Sequence, residues 1–139
     1  MENPRLIICV KERDLIMSWI IGSTPADVTI RESLDKLYGE LEQAEIRAAD
    51  DLPNDVVRVN SIVTIQSPSG RREGLQLVMP LEADLKANRL SVFTVMGSAL
   101  VGYREGTTIN WKLPKGEEVI YLEKVDNSKV KNQISSLKS

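Results

Sequence analysis

The apolar residues of this chain change period once, and that change limits the folds open to it. Between Ile30 and Ala48 they fall at Ile30, Leu34, Leu37, Leu41, Ala44 and Ala48, alternately four and three apart. That spacing lays one stripe along a helix, close to a coiled-coil seam. From Asn60 onward the pattern approaches period two, with Ile62, Val63 and Ile65 set among Ser61, Thr64 and Gln66. Period two belongs to half-buried strands. The expectation is an α+β chain, helices first and an antiparallel sheet second.

In the helical part, Thr29 and Glu32 fit a capping box, each side chain reaching the other's backbone N–H. The helix is expected from Ile30 to about Arg47, roughly 27 Å at 1.5 Å per residue. Its stripe needs a partner, and the segment Lys11 to Ile21 offers Leu15, Ile16, Trp19 and Ile20. Gly22 suits the position just past that helix, and Pro25 confirms the stop. Together they predict an antiparallel helical hairpin, a short coiled coil, over residues 1–50, with Leu6 to Val10 extended before it. The first arm is short, so Leu37, Tyr38 and Leu41 are expected to stay uncovered, a face suited to self-association or another partner. Asp50-Asp51-Leu52-Pro53-Asn54-Asp55 breaks the helix and marks the boundary.

The second part, residues 55–125, reads as five strands. Asn60 to Gln66 and Glu73 to Met79 flank the turn Ser67-Pro68-Ser69-Gly70 and form a hairpin. Pro80 to Asn88 is a polar loop, and Arg89 to Phe93 a third strand. Thr107 to Leu113 is a fourth, with Ile109, Trp111 and Leu113 facing one way. Pro114-Lys115-Gly116 turns into a fifth, Glu117 to Val125. Such a sheet needs a cover, and Met96 to Val101 is the one helix-like piece available, with Met96, Ala99 and Leu100 on one face. Gly97 permits a close approach, and Gly102 permits a left-handed stop. Residues 126–139 are rich in Lys, Ser and Asn and read as a flexible tail.

Composition excludes several classes of function. The 139 residues carry a net charge of -2, and no basic run exceeds Arg71-Arg72, so nothing suggests sequence-specific nucleic-acid binding. There is no His, which removes His-based triads and His-ligated zinc. The single Cys9 lies in an apolar run and reads as a small buried hydrophobe in a reducing compartment. No apolar stretch approaches the ~20 residues of a membrane span, and Met1 to Arg5 does not start like a signal peptide. A cytoplasmic protein is expected, with no membrane partner.

The stretches Val59-Asn60-Ser61-Ile62-Val63, Leu90-Ser91-Val92, Gly97-Ser98-Ala99-Leu100-Val101-Gly102 and Gly106-Thr107 leading to Trp111 resemble the C-terminal domain of the bacterial Gre transcript-cleavage factors. With its short arm and the pattern Leu52-Pro53-Asn54-Asp55-Val56-Val57-Arg58-Val59-Asn60-Ser61, the whole chain is most similar to the smaller regulators of nucleoside diphosphate kinase. The resemblance implies an FKBP-like sheet with one short helix and no prolyl isomerase activity. It implies a regulator that docks on bacterial RNA polymerase at the rim of the secondary channel and competes with Gre factors. Contact with DNA is then indirect, and the state is monomer or weak dimer. By the same resemblance the docking loop is Phe93, Thr94, Val95 and Met96, with Gly97 and Ser98 opening the turn. Gre factors usually carry proline where this chain has Val95. Phe93 is either an exposed anchor or ordinary core. The hairpin tip is Ser23, Thr24 and Asp27, and Asp27 by itself reads as a solvated loop acid or an alternative N-cap. Gre factors place two acids there to help hold a catalytic magnesium, and Asp27 is the one acid between Gly22 and Thr29. No transcript cleavage, metal or cofactor is therefore expected.

Overall fold

The computed structural model describes residues 3–113 and 116–130. Strand β1 (Ile7–Cys9) runs straight into helix α1 (Val10–Gly22), and a short loop leads to α2 (Val28–Glu42) and β2 (Glu45–Arg47). β1 and β2 pair in parallel, Ile8 opposite Ile46, so the two ends of the helical arm are tied together. The arm's helices pack on each other.

Five details of the arm differ from the sequence expectation. α2 ends at Glu42, not near Arg47, because the Glu45 N–H donates to the Leu6 carbonyl at 2.8 Å and the chain turns into β2. Ala44 is buried off the helix and Ala48 is exposed. Asp27, the alternative cap, takes the place of Thr29 at the start of α2: its carboxylate accepts the Ile30 N–H at 3.1 Å, and Thr29 is already helical. Gly22 is the last residue of α1, and Ser23 caps that end in extended conformation, its hydroxyl donating to the Ile20 carbonyl at 2.9 Å. Leu15 is exposed while its neighbour Ile16 is fully buried.

The second part holds β3 (Ile62–Ser67), β4 (Gly70–Val78), β5 (Arg89–Ser91), α3 (Val95–Leu100), β6 (Thr108–Leu113) and β7 (Gly116–Asp126). The sheet order is β5-β4-β3-β7-β6. β3 and β4 form the expected hairpin, and within this sheet, among the described residues, only the β4–β5 pair is parallel. Pro80 to Asn88 folds into two single 3-10 turns. The expected turn at 114–115, the side chain of Leu113 and the tail from residue 131 lie outside the described residues. Residues 127 and 130 are buried, so the chain beyond β7 begins packed on the body.

One apolar core joins the arm to the sheet. Leu6, Ile8, Ile16, Leu37 and Leu41 cluster with Val63, Ile65, Leu75, Leu100, Ile120 and Leu122. This overturns the uncovered hairpin face. Leu37 and Leu41 are 1% and 0% exposed and Tyr38 is half-buried, because the body of the protein covers α2 where α1 does not. Gly102 is part of the same closure. It sits at φ 87°, and a Cβ there would lie 2.8 Å from that of Leu6. Its carbonyl accepts the Ile7 N–H at 3.0 Å, fixing β1 against the end of α3. No described helix is long and apolar enough to cross a membrane.

Candidate protein-docking surface

Phe93 to Ser98 runs from the end of β5 into α3. Thr94, extended at φ -86° and ψ 164°, caps the helix, its hydroxyl oxygen accepting the Gly97 N–H at 2.9 Å. The same hydroxyl donates to the Ser91 carbonyl at 2.8 Å, and the Ser91 hydroxyl accepts the Phe93 N–H at 3.0 Å. The loop is thus knotted onto the last residue of β5. Gly97 completes the knot: a Cβ at this position would lie 2.0 Å from the Ser91 carbonyl oxygen, so a side chain has no room. Val95 is the first residue of α3, where a backbone N–H has no partner within the helix.

Of the six residues expected to dock, Phe93, Thr94, Val95 and Met96 are half-buried and present surface. Gly97 and Ser98 are buried and shape the loop from behind. The two readings of Phe93 meet halfway. Its ring packs on the core and stands edge-on to Trp19 of α1, with centroids 6.2 Å apart and planes at 80°. Such aromatic pairs are worth about 0.5–1.5 kcal/mol beyond burial.

At the tip of the arm, Ser23 and Asp27 are both occupied by helix ends, as described, and Thr24 is exposed. Ile21 and Val28 flank the tip and are 71% and 58% exposed. The arm and the loop from Phe93 to Ser98 share a wall. A cleft of about 450 Å³ lies between α2, α3 and β6, lined among others by Val28, Glu32, Lys36, Val95, Ser98 and Trp111. Val28 follows the tip directly, so the start of α2 and the loop from Phe93 to Ser98 border one surface.

Sequence reasoning missed that cleft, because its walls come from elements with no local pattern in common. Tyr103 and Glu40 also line it, the phenol donating to the carboxylate at 2.9 Å. Burial pushes the Tyr103 hydroxyl well above its usual range, and the negative charge of Glu40 adds to the shift. On the outer edge of the sheet, Asn3 satisfies both backbone groups of Asn110: it donates to the carbonyl at 3.2 Å and accepts the N–H at 2.8 Å. The Trp111 indole N–H is buried without an acceptor among the described residues. No cluster of three or more His, Cys, Asp or Glu suited to a metal occurs among the described residues.

Residues 52–127 match the family model described as transcription elongation factor, GreA/GreB, C-terminal. That span holds residues 93–98 and the whole five-stranded sheet. The chain is 37% identical over 94 residues to the regulator of nucleoside diphosphate kinase from Escherichia coli strain K12, a match covering 64% of this chain and 69% of that protein. It is 32% identical over 92 residues to the transcription inhibitor protein Gfh1 of Thermus aquaticus, covering 64% and 57%. Among solved structures, the prokaryotic transcription elongation factor GreA/GreB from Nitrosomonas europaea aligns with a TM-score of 0.69 at 26% identity, covering 89% of this chain and 99% of that one.

Proposed function

The chain belongs to the GreA/GreB family of transcription elongation factors, and from that membership we propose that it regulates transcription by binding bacterial RNA polymerase, without cleaving transcripts itself. The dock is the rim of the secondary channel, and the contact surface is Phe93, Thr94, Val95 and Met96. Gly97 and Ser98 hold that surface in shape. The arm, a short coiled coil, points its tip into the channel and competes there with Gre cleavage factors. An FKBP-like sheet without isomerase activity belongs to the same reading, as does a cytoplasmic location.

One observation carries the proposal: the knot of Ser91, Thr94 and Gly97 presents the loop as a preformed surface inside the span that the family model matches. A preformed loop loses little conformational freedom on docking. The absence of cleavage is supported by Asp27, whose carboxylate already caps α2 and has no acidic neighbour within the tip. Holding a magnesium ion takes several oxygens in near-octahedral array.

Purified full-length chain is expected to bind core RNA polymerase at low salt, and Met96→Glu to weaken that binding roughly tenfold or more. Failure of the wild type to associate at micromolar concentration would sink the proposal. With backtracked complexes, the chain is expected to add no cleavage to that of polymerase alone and to slow cleavage stimulated by a Gre factor. Shortened RNA that depends on this chain alone would show that the arm is active after all.

A further inference from the structure

The stretch Leu52 to Ser61 stood out in the sequence, yet it belongs to neither the docking loop nor the tip. It forms a largely buried polar joint between the arm and the body. The Glu12 carboxylate, in the first turn of α1, takes Arg58 on one oxygen, with both Nε and Nη2 at 2.6 Å. Its other oxygen accepts the Val59 N–H at 3.0 Å. The two side chains are only 13% and 12% exposed. The Cys9 thiol donates to the same carboxylate at 3.3 Å.

The segment that receives Glu12 is itself held in place. The Arg58 N–H donates to the Ser61 hydroxyl at 2.6 Å, and that hydroxyl bonds to the side-chain carbonyl of Asn127. The Asn127 amide then donates to the carbonyls of Asn54 and Val56, at 2.7 and 2.8 Å. Glu12 is therefore tied to a fixed point. Seven residues further along α1, about two turns, Trp19 meets Phe93 of the docking loop. A helix pinned at Glu12 carries Trp19 to a set place.

We propose that Glu12 is a positioning residue: with Arg58 and the Val59 N–H it holds α1 so that Trp19 props Phe93 and the arm keeps its angle to the docking loop. The consequence for polymerase rests on the docking reading above; the placement of Trp19 does not. Stability alone does not call for such a group, since a buried ion pair replaced by apolar residues of similar size is often no less stable.

The test uses the full chain labelled with 5-fluorotryptophan, its two fluorine resonances assigned with Trp111→Phe. Polymerase affinity and the urea midpoint are measured on the same variants. Glu12→Gln keeps an acceptor for Val59 but removes the charge. It is expected to shift or broaden the Trp19 resonance, leave that of Trp111 in place, and weaken polymerase binding about tenfold. The double variant Glu12→Leu with Arg58→Met is expected to recover the urea midpoint while both defects persist. An unchanged Trp19 resonance in Glu12→Gln overturns the proposal. So does a double variant in which resonance and affinity return along with stability. Should the double variant not fold, Glu12→Gln and Arg58→Lys decide by the Trp19 resonance. Should the wild type not bind polymerase, the docking reading falls and the same resonance still decides the role of Glu12.

Discussion

Gly97 shows how one missing Cβ fixes a surface. Backbone cannot yield as a flexible side chain does, so Gly97→Ala has to break the contacts of Ser91 with Thr94 or distort β5. Its expected cost is about 3 kcal/mol, at the high end for a single substitution, read as a fall in the urea midpoint; wild-type stability in this variant would contradict the knot. Tyr103 makes a different prediction, about pH. Its hydroxyl, with a folded pKa raised by burial and by Glu40, holds its proton in the folded state beyond the unfolded value of about 10. The stability this contributes is complete below about pH 10 and is lost as pH rises through the folded pKa. Tyr103→Phe is expected to cost about 1 kcal/mol at neutral pH through the lost bond to Glu40. The same variant flattens the alkaline fall in stability, and urea titrations from neutral to strongly alkaline pH measure both effects. A close approach at Gly97 was legible in the sequence, but the partner of Tyr103 was not, since Glu40 lies 63 positions away.

At the level of elements, α3 was legible to within a residue, because Met96, Ala99 and Leu100 repeat at helical spacing and glycines bracket them. The β3–β4 hairpin was legible because its turn residues separate two alternating runs. The end of α2 was not. Ala44 and Ala48 continue the stripe, but pairing with β1 won over local periodicity, and that partner lies some 38 positions away. The parallel β4–β5 pair was hidden for the same reason. The proposed docking loop was read from motif resemblance, while its knot of hydrogen bonds shows only in the fold. Two substitutions test these elements. Val95 starts α3 and Thr94 before it is extended, the conformation that a following proline demands. Val95→Pro is therefore expected to be tolerated and to raise stability by about 0.4–1 kcal/mol through a stiffer unfolded chain; a lower melting temperature would contradict this. Asp27→Ala removes the cap of α2 and is expected to cost about 1 kcal/mol, while RNA cleavage in backtracked complexes stays at the level of polymerase alone.

Seen as a whole, the molecule does not separate into an arm and an independent sheet. The change of hydrophobic period separated the two long helices from the five-stranded sheet, though β1 and β2 lie in the first part and α3 in the second, and it could not show that both faces share one interior. Leu6, Ile8, Leu37 and Leu41 are all at 3% exposure or less within the same cluster as the sheet. A chain beginning at residue 52 is expected to lose cooperative unfolding and to expose apolar surface to dye binding, because burying each such side chain is worth about 1.5–3 kcal/mol. A sharp urea transition in that truncated chain would contradict the shared core. The parallel pairing of β1 with β2 has one more consequence. It seats the entry and exit of the helical excursion side by side, so the footing is independent of how far the helices travel before turning back. Equal numbers of turns inserted on either side of residues 23–27 would change the reach of the probe and leave its mounting untouched, which makes reach a freely adjustable dimension of this architecture.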